Sequence, residues 1–209
     1  VINFKLKRDF VYILKIKIVP FIFLLAFYFA FMLNWPGVLH FYDIIYKLEG
    51  FKLGFAISLP ILLVAALNLV FIPFSVRYLV KPFFALLILL STIVSYAMMK
   101  YRVLFDQNMI QNIFETNRNE AFAYLNFPIL GWVTIVGFIP AILLFFVEVE
   151  YEDKWLNGVI TRSLSMLASI IVITVIAALY YQDYVSVGRN NSNLQREIIP
   201  ANFVNSTVK

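Results

Sequence analysis

Five stretches of the chain contain no Asp, Glu, Lys or Arg: 18–42, 53–76, 82–99, 121–147 and 163–182. A helix crossing the hydrocarbon core needs about 20 apolar residues, with a range of roughly 17 to 25. Each stretch fits one such helix, and 82–99 is the shortest. Backbone N–H and C=O groups find no water in hydrocarbon, so these stretches must satisfy themselves as helices. Their runs of Leu, Ile, Phe and Ala show no apolar–polar alternation of the kind a barrel strand needs. The pattern predicts an all-α polytopic bundle of five transmembrane spans over 1–182, followed by a polar segment, 183–209.

Between the third and fourth spans lies a polar segment, 100–120, containing DQNMIQNIFETNRNE. Asp106 can cap a helix, and Met109, Ile110, Ile113 and Phe114 follow at helical spacing. The spacing predicts a short amphipathic helix over 106–120, lying at the membrane interface. The segment 183–209 holds no apolar run long enough to span. Its NNSN at 190–193 and Pro200 suit loop or short helices, as in a linker leaving the membrane.

Basic residues give the orientation. The N-terminal tail carries Lys5, Lys7, Arg8, Lys15 and Lys17, and the loops on the same side add Arg77, Lys81, Lys154 and Arg162. The opposite side carries Lys47, Lys52, Lys100, Arg102, Arg118, Arg189, Arg196 and Lys209 over a longer stretch. The denser side is expected in the cytoplasm, which places the N-terminus inside and the C-terminus outside. Glu148, Glu150, Glu152 and Asp153 make one inner loop acidic, but carboxylates weigh little in this rule. Trp35, Tyr46, Tyr101, Trp132, Trp155 and Tyr180 fall near expected interfaces, where aromatic rings anchor helices.

Composition agrees with lipid as the solvent. Hydrophobic residues make up 62% of the 209 and charged residues 14%, against roughly 25% charged in a soluble domain. The net charge of +5 is scattered, and no basic run suggests nucleic acid. The first apolar stretch has no small-x-small cleavage site and reads as an uncleaved signal anchor. The chain opens on Val rather than Met, the mark of a fragment or of an unusual start codon.

Chemistry is sparse. There is no Cys and a single His, His40, so the usual tetrahedral zinc sets cannot form, and His40 reads as an interfacial loop residue. There is no Gly-rich phosphate loop and no nucleophile elbow. The absence of charge inside the spans counts against an ion-coupled transporter. Asn68, Ser91, Thr92, Ser95, Thr134, Ser169 and Thr174 could line a path, but hydrogen bonds between helices account for them as well. One polar set suggests a ligand. Asn112, Thr116 and Glu120 are spaced i, i+4, i+8, each step advancing about 6 Å and turning about 40° on a helix. An amide, a hydroxyl and a carboxylate on one face could hold a zwitterionic lipid head, the carboxylate taking an ammonium and the others phosphate or glycerol oxygens. A solvated polar face is the alternative, since Gln111, Glu115, Asn117, Arg118 and Asn119 are polar too.

The stretch SYAMMKYRVLFDQNMIQNIFETNRNEA, 95–121, resembles the membrane domain of the lipid A phosphoethanolamine transferases, the family that includes the mobile colistin-resistance enzymes. That family shows Ser-Tyr, then Thr-Tyr-Gly, an Asp, a Met and Asn-x-x-x-Thr-x-x-x-Glu in this order. Asn34 at the end of the first span, Lys81-Pro82 opening the third, and YYQDYVSVGRNNSNLQREIIPANFV at 180–204 are similar to further family features. Two positions depart: Lys100-Tyr101-Arg102 stands for Thr-Tyr-Gly, and Val187-Gly188-Arg189 for Phe-Phe-Arg. These departures leave the acceptor open between lipid A, a core sugar and another periplasmic glycan.

The resemblance implies an enzyme of the bacterial inner membrane, with five helices followed by a periplasmic catalytic domain of alkaline-phosphatase-like fold. It implies that zinc and a Thr nucleophile sit in that domain, absent from this chain. It implies transfer of phosphoethanolamine from phosphatidylethanolamine to lipid A, with resistance to cationic peptides and polymyxin as the consequence. Asn112, Thr116 and Glu120 match the family residues that hold the donor. A small transporter and a non-catalytic assembly subunit are the alternatives.

Overall fold

A computed structural model describes residues 14–47, 52–101, 127–191, 194 and 197–200. Among these the chain is a bundle of long apolar helices. Four are long and apolar enough to cross a membrane, or five where a bent pair counts as one broken span. The elements are β1 (Leu14–Lys17), α1 (Ile18–Tyr28), α2 (Trp35–Ile45), α3 (Leu53–Phe71), α4 (Val80–Tyr101), α5 (Phe127–Trp132), α6 (Ile139–Phe146), β2 (Val147–Glu150) and α7 (Trp155–Asn190). A π-helical turn, Phe29–Leu33, joins α1 to the Asn34 break, and another, Val133–Phe138, joins α5 to α6. The interfacial helix expected over 106–120 lies outside the described residues.

The helix bounds depart from the charge-free windows, most of all in the first and the last. The window 18–42 is not one helix: it breaks at Asn34, and the two halves meet at 61°. Pro36 opens α2 in its first turn, where a missing N–H costs nothing. Consequently His40 is helical rather than in a loop. The last window extends far past both charged ends, so that α7 runs from Trp155 to Asn190 with a kink at Tyr180. Asp183 does not end it, because Lys52 Nζ lies 2.9 Å from both carboxylate oxygens. The polar segment expected from 183 therefore begins as helix.

The two strands are a further addition. Leu14–Lys17 and Val147–Glu150 pair in parallel, placing Lys15 opposite Glu148 and Lys17 opposite Glu150. Lys15 Nζ reaches Glu148 at 3.0 Å, and Glu148 raises the lysine's pKa. The acidic loop and the basic N-terminal stretch thus neutralise one another at this end of the bundle, the strand end. Beside them, the guanidinium groups of Arg162 and Arg77 lie over the Tyr151 ring, at 5.8 and 5.9 Å from its centroid.

Lipid tails are as apolar as leucine, so packing and hydrogen bonds must hold the helices together. Phe29, Phe71 and Phe84 form an edge-to-face stack at the centre, with centroid spacings of 5.0 and 4.9 Å. Asn68 on α3 donates to Ser165 and Ser169 on α7, at 3.1 and 2.9 Å. Two membrane prolines create the other polar links. Pro60 has no N–H to give the Ala56 carbonyl, and Tyr42 Oη donates to that carbonyl instead, at 3.2 Å. Pro140 likewise frees the carbonyl of Val136, which accepts from Tyr28 Oη and from Thr92 Oγ1. Gly137 lets α4 approach there: a Cβ on it would sit 3.3 Å from Thr92 Oγ1. Each proline defect in one span is repaired by a hydroxyl from another, as backbone in hydrocarbon requires.

Candidate functional site

The end of the bundle opposite the strands, the tail end, gathers Asn34, His40, Glu197, Ser58 and Tyr184 in specific contacts. The helix widens into the π-turn and stops at Asn34, which is 2% exposed. With its own turn broken, the Asn34 amide is free to bond elsewhere. Its Nδ2 donates to the carbonyls of Phe29 (2.9 Å) and Ile199 (2.8 Å), and its Oδ1 accepts from the Ile199 N–H (2.7 Å). The side chain thus satisfies both backbone groups of a fully buried residue far along the chain. Ile199 packs on Val94 and Met98 of α4.

One turn beyond Asn34, Gly37 leaves room for the next contact: a Cβ there would sit 3.4 Å from both Cβ and O of Glu197. His40 follows, its Nδ1 at 2.8 and 3.0 Å from the two carboxylate oxygens of Glu197. Glu197 is nearly enclosed, and burial pushes its carboxyl above the usual range, against the opposing pull of His40. Residues 34, 37 and 40 thus lie along one side of α2 and hold segment 197–200 against the bundle. On the neighbouring flank Tyr184 stacks edge-on to Phe55 at 4.8 Å and shares a 2.8 Å hydrogen bond with Ser58. A Cβ on Gly54 would strike the phenol oxygen of Tyr180, so glycine there lets the Tyr180 ring lie against α3 as it does.

Below these groups runs a groove of about 830 Å³. One wall is a stripe on α3 from Leu59 to Phe71, carried on by Phe74 in the turn that follows; Phe83 and Leu87 line the same end as Phe74, and Asn34, Tyr184 and Glu197 stand at the tail end. Hydrocarbon lines nearly all of it.

Helix α4 ends at Tyr101 and α5 begins at Phe127, both at the tail end. Asn112, Thr116 and Glu120 fall between them in sequence, outside the described residues. The contacts of Asn34, His40 and Glu197 were missed from sequence, since partners more than 150 positions apart leave no spacing signal. Among the described residues no three His, Cys, Asp or Glu side chains come together as a metal site.

Comparison with known proteins bears on both fold and chemistry. A sequence model for the family described as phosphoethanolamine transferase EptA/EptB matches residues 63–209. The phosphoethanolamine transferase EptA of Escherichia coli K12 is 29% identical over 148 residues, covering 71% of this chain and 27% of the relative. The phosphatidylethanolamine transferase Mcr-2 of E. coli is 27% identical over 158 residues, covering 76% and 29%. The solved integral membrane lipooligosaccharide phosphoethanolamine transferase A of Neisseria meningitidis superposes with a TM-score of 0.85 at 25% identity, over 93% of this chain and 36% of that one. The chain spans little more than a quarter of the curated relatives it matches.

Proposed function

Because this chain belongs to the EptA/EptB phosphoethanolamine transferase family, we propose that it is the membrane part of an enzyme that moves phosphoethanolamine from phosphatidylethanolamine to lipid A. The family match over most of the chain carries this reading, and the close superposition on the meningococcal transferase supports it. In this reading the N-terminus and the strand end face the cytoplasm, and the tail end faces the periplasm in the bacterial inner membrane. The chemistry, with its zinc and Thr nucleophile, belongs to a catalytic domain following this one.

The membrane part has two tasks. It confines the catalytic domain to the leaflet that holds both lipid substrates, which raises their effective concentration. It also holds the donor head where the nucleophile can reach it, a proximity effect. Asn112, Thr116 and Glu120 are assigned to that second task, the carboxylate of Glu120 meeting the ethanolamine ammonium and the other two the phosphate oxygens. Asn34, His40 and Glu197 fix the segment that leads toward the catalytic domain, so the two parts meet in a set geometry. Adding an ethanolamine cation offsets the phosphate charge of lipid A and weakens its attraction for cationic peptides.

The test is mass spectrometry of lipid A from cells expressing the whole protein. Phosphoethanolamine-bearing lipid A is expected with the native sequence, and its loss at normal protein levels is expected for Glu120→Ala and for Asn112→Ala. Unmodified lipid A from the native protein would refute the transferase reading. Full modification by both variants would refute the site assignment.

A further inference from the structure

Two guanidinium groups at the strand end share one aromatic ring and lack a carboxylate. Arg77 comes from the turn between α3 and α4, Arg162 from the second turn of α7, and Tyr151 from the stretch after β2. Arg162 lies 5.8 Å and Arg77 5.9 Å from the centroid of that ring. Three separate elements thus bring two like charges together. Among the described residues neither arginine forms an ion pair. Glu148 is taken by Lys15 at 3.0 Å and Glu152 by Lys17 at 3.4 Å. Glu150 and Asp153 are exposed to solvent and pair with neither arginine.

Arg162 is fixed in place. Its Nη2 donates to the Ser75 carbonyl at 3.1 Å, which ties α7 to the turn that carries Arg77. Its Nε is enclosed without an acceptor, and the Tyr151 hydroxyl is enclosed without a partner. A partly buried cation with no counter-charge is costly, and a second cation beside it adds repulsion. An anion lying across the two guanidinium groups relieves both costs.

Position selects the anion. Tyr78 and Trp155 are 87% and 77% exposed, and amphipathic rings exposed at helix ends mark the level of lipid heads. Val76 and Leu79 beside Arg77, and Ile160 beside Arg162, are exposed and apolar, a surface suited to acyl chains. A phosphate at this level is one carried by a lipid. Guanidinium forks match phosphate oxygens in pairs. Two unpaired positive charges favour a lipid of net negative charge over a zwitterionic one. Such a lipid has work to do, because only 11% of the most apolar window of α7 is buried in the bundle.

We propose that Arg77 and Arg162 hold the phosphate of an anionic phospholipid at the strand end, where it pins α7 to the turn between α3 and α4. In the orientation proposed above this is the cytoplasmic leaflet, and the site stands independently of the transferase reading.

The experiment is titration of the purified full chain in detergent micelles with phosphatidylglycerol or phosphatidylcholine, read by native mass spectrometry. Phosphatidylglycerol is expected to bind about tenfold more tightly, the equivalent of one charge-assisted contact. Arg77→Gln, which removes no hydrogen bond among the described residues, should erase that preference. Arg162→Lys, which keeps the charge but loses the fork, should weaken it. Lys154→Gln removes the same charge at the same end and should change the affinity by less than about twofold. Thermal unfolding in the same micelles is the second measurement: phosphatidylglycerol should raise the midpoint of the native chain and leave that of Arg77→Gln unmoved. Equal binding of the two lipids would overturn the proposal, as would equal losses in Arg77→Gln and Lys154→Gln, the sign of diffuse attraction. Displacement of the lipid by excess inorganic phosphate would mark a site for a soluble anion instead. Asp9 is the one carboxylate of 1–13. Tighter lipid binding in Asp9→Asn would show that the chain supplies its own counter-charge, and the lipid site would fall.

Discussion

Replacing Asn34 with Ala should release the tail of the chain without unfolding the bundle. The amide makes three buried hydrogen bonds, at 2.9, 2.8 and 2.7 Å. Phe29 O keeps the Asn34 backbone N–H at 2.9 Å, so that acceptor stays satisfied. The N–H and C=O of Ile199 lose the partner that pairs them, and Ile199 is 0% exposed. A buried polar group left without a partner costs about 1–3 kcal/mol, so the two together give about 2–4 kcal/mol once partial exposure relieves them. The cost falls on a short segment at the edge of the structure, which can open locally. Hydrogen exchange at the Ile199 amide reads this directly. A loss of about 2 kcal/mol speeds exchange through local opening by roughly 30-fold, and larger losses by more. Asn68→Ala is the control: it loses comparable contacts to Ser165 and Ser169 and should leave Ile199 protection unchanged. Exchange in Asn34→Ala within threefold of the native rate, with helicity intact, would refute the clamp.

Two further predictions follow from the same contacts. If Tyr42 is repairing the proline defect at Ala56, Tyr42→Phe should cost about 0.6 kcal/mol, and no more than about 1.7, in mixed-micelle unfolding. It should cost nearly nothing after Pro60→Ala, which restores the missing N–H; equal costs in both backgrounds would break the argument. The second concerns pH. Burial raises the Glu197 carboxyl, so its ionised form is the less favoured one in the folded tail. The hold on 197–200 is therefore fully present below the ordinary carboxylate range and relaxes as pH climbs through the raised value. Exchange at Ile199, corrected for intrinsic rates, should show this trend, and Glu197→Gln should flatten it. Protection that grows with pH in the native chain would contradict the sign.

Membrane residence and the helical character of the long apolar runs were legible from the sequence because each is a local sum. A run of uncharged residues either reaches hydrocarbon length or does not, and no distant partner alters that requirement. The family too was legible, since its polar residues recur in a fixed order along the chain, although Asn112, Thr116 and Glu120 themselves lie outside the described residues. What needed the tertiary structure were the pairings. The break at Asn34 looks like part of a span until Ile199 takes up its amide. His40 looks like a loop residue until Glu197 sits on it. Asp183 looks like a helix end until Lys52 neutralises it. Lys15 and Lys17 look like topology signals until Glu148 and Glu150 pair with their strand. In each case the energy of a polar group depends on which partner the fold supplies, and sequence distance carries no record of that choice.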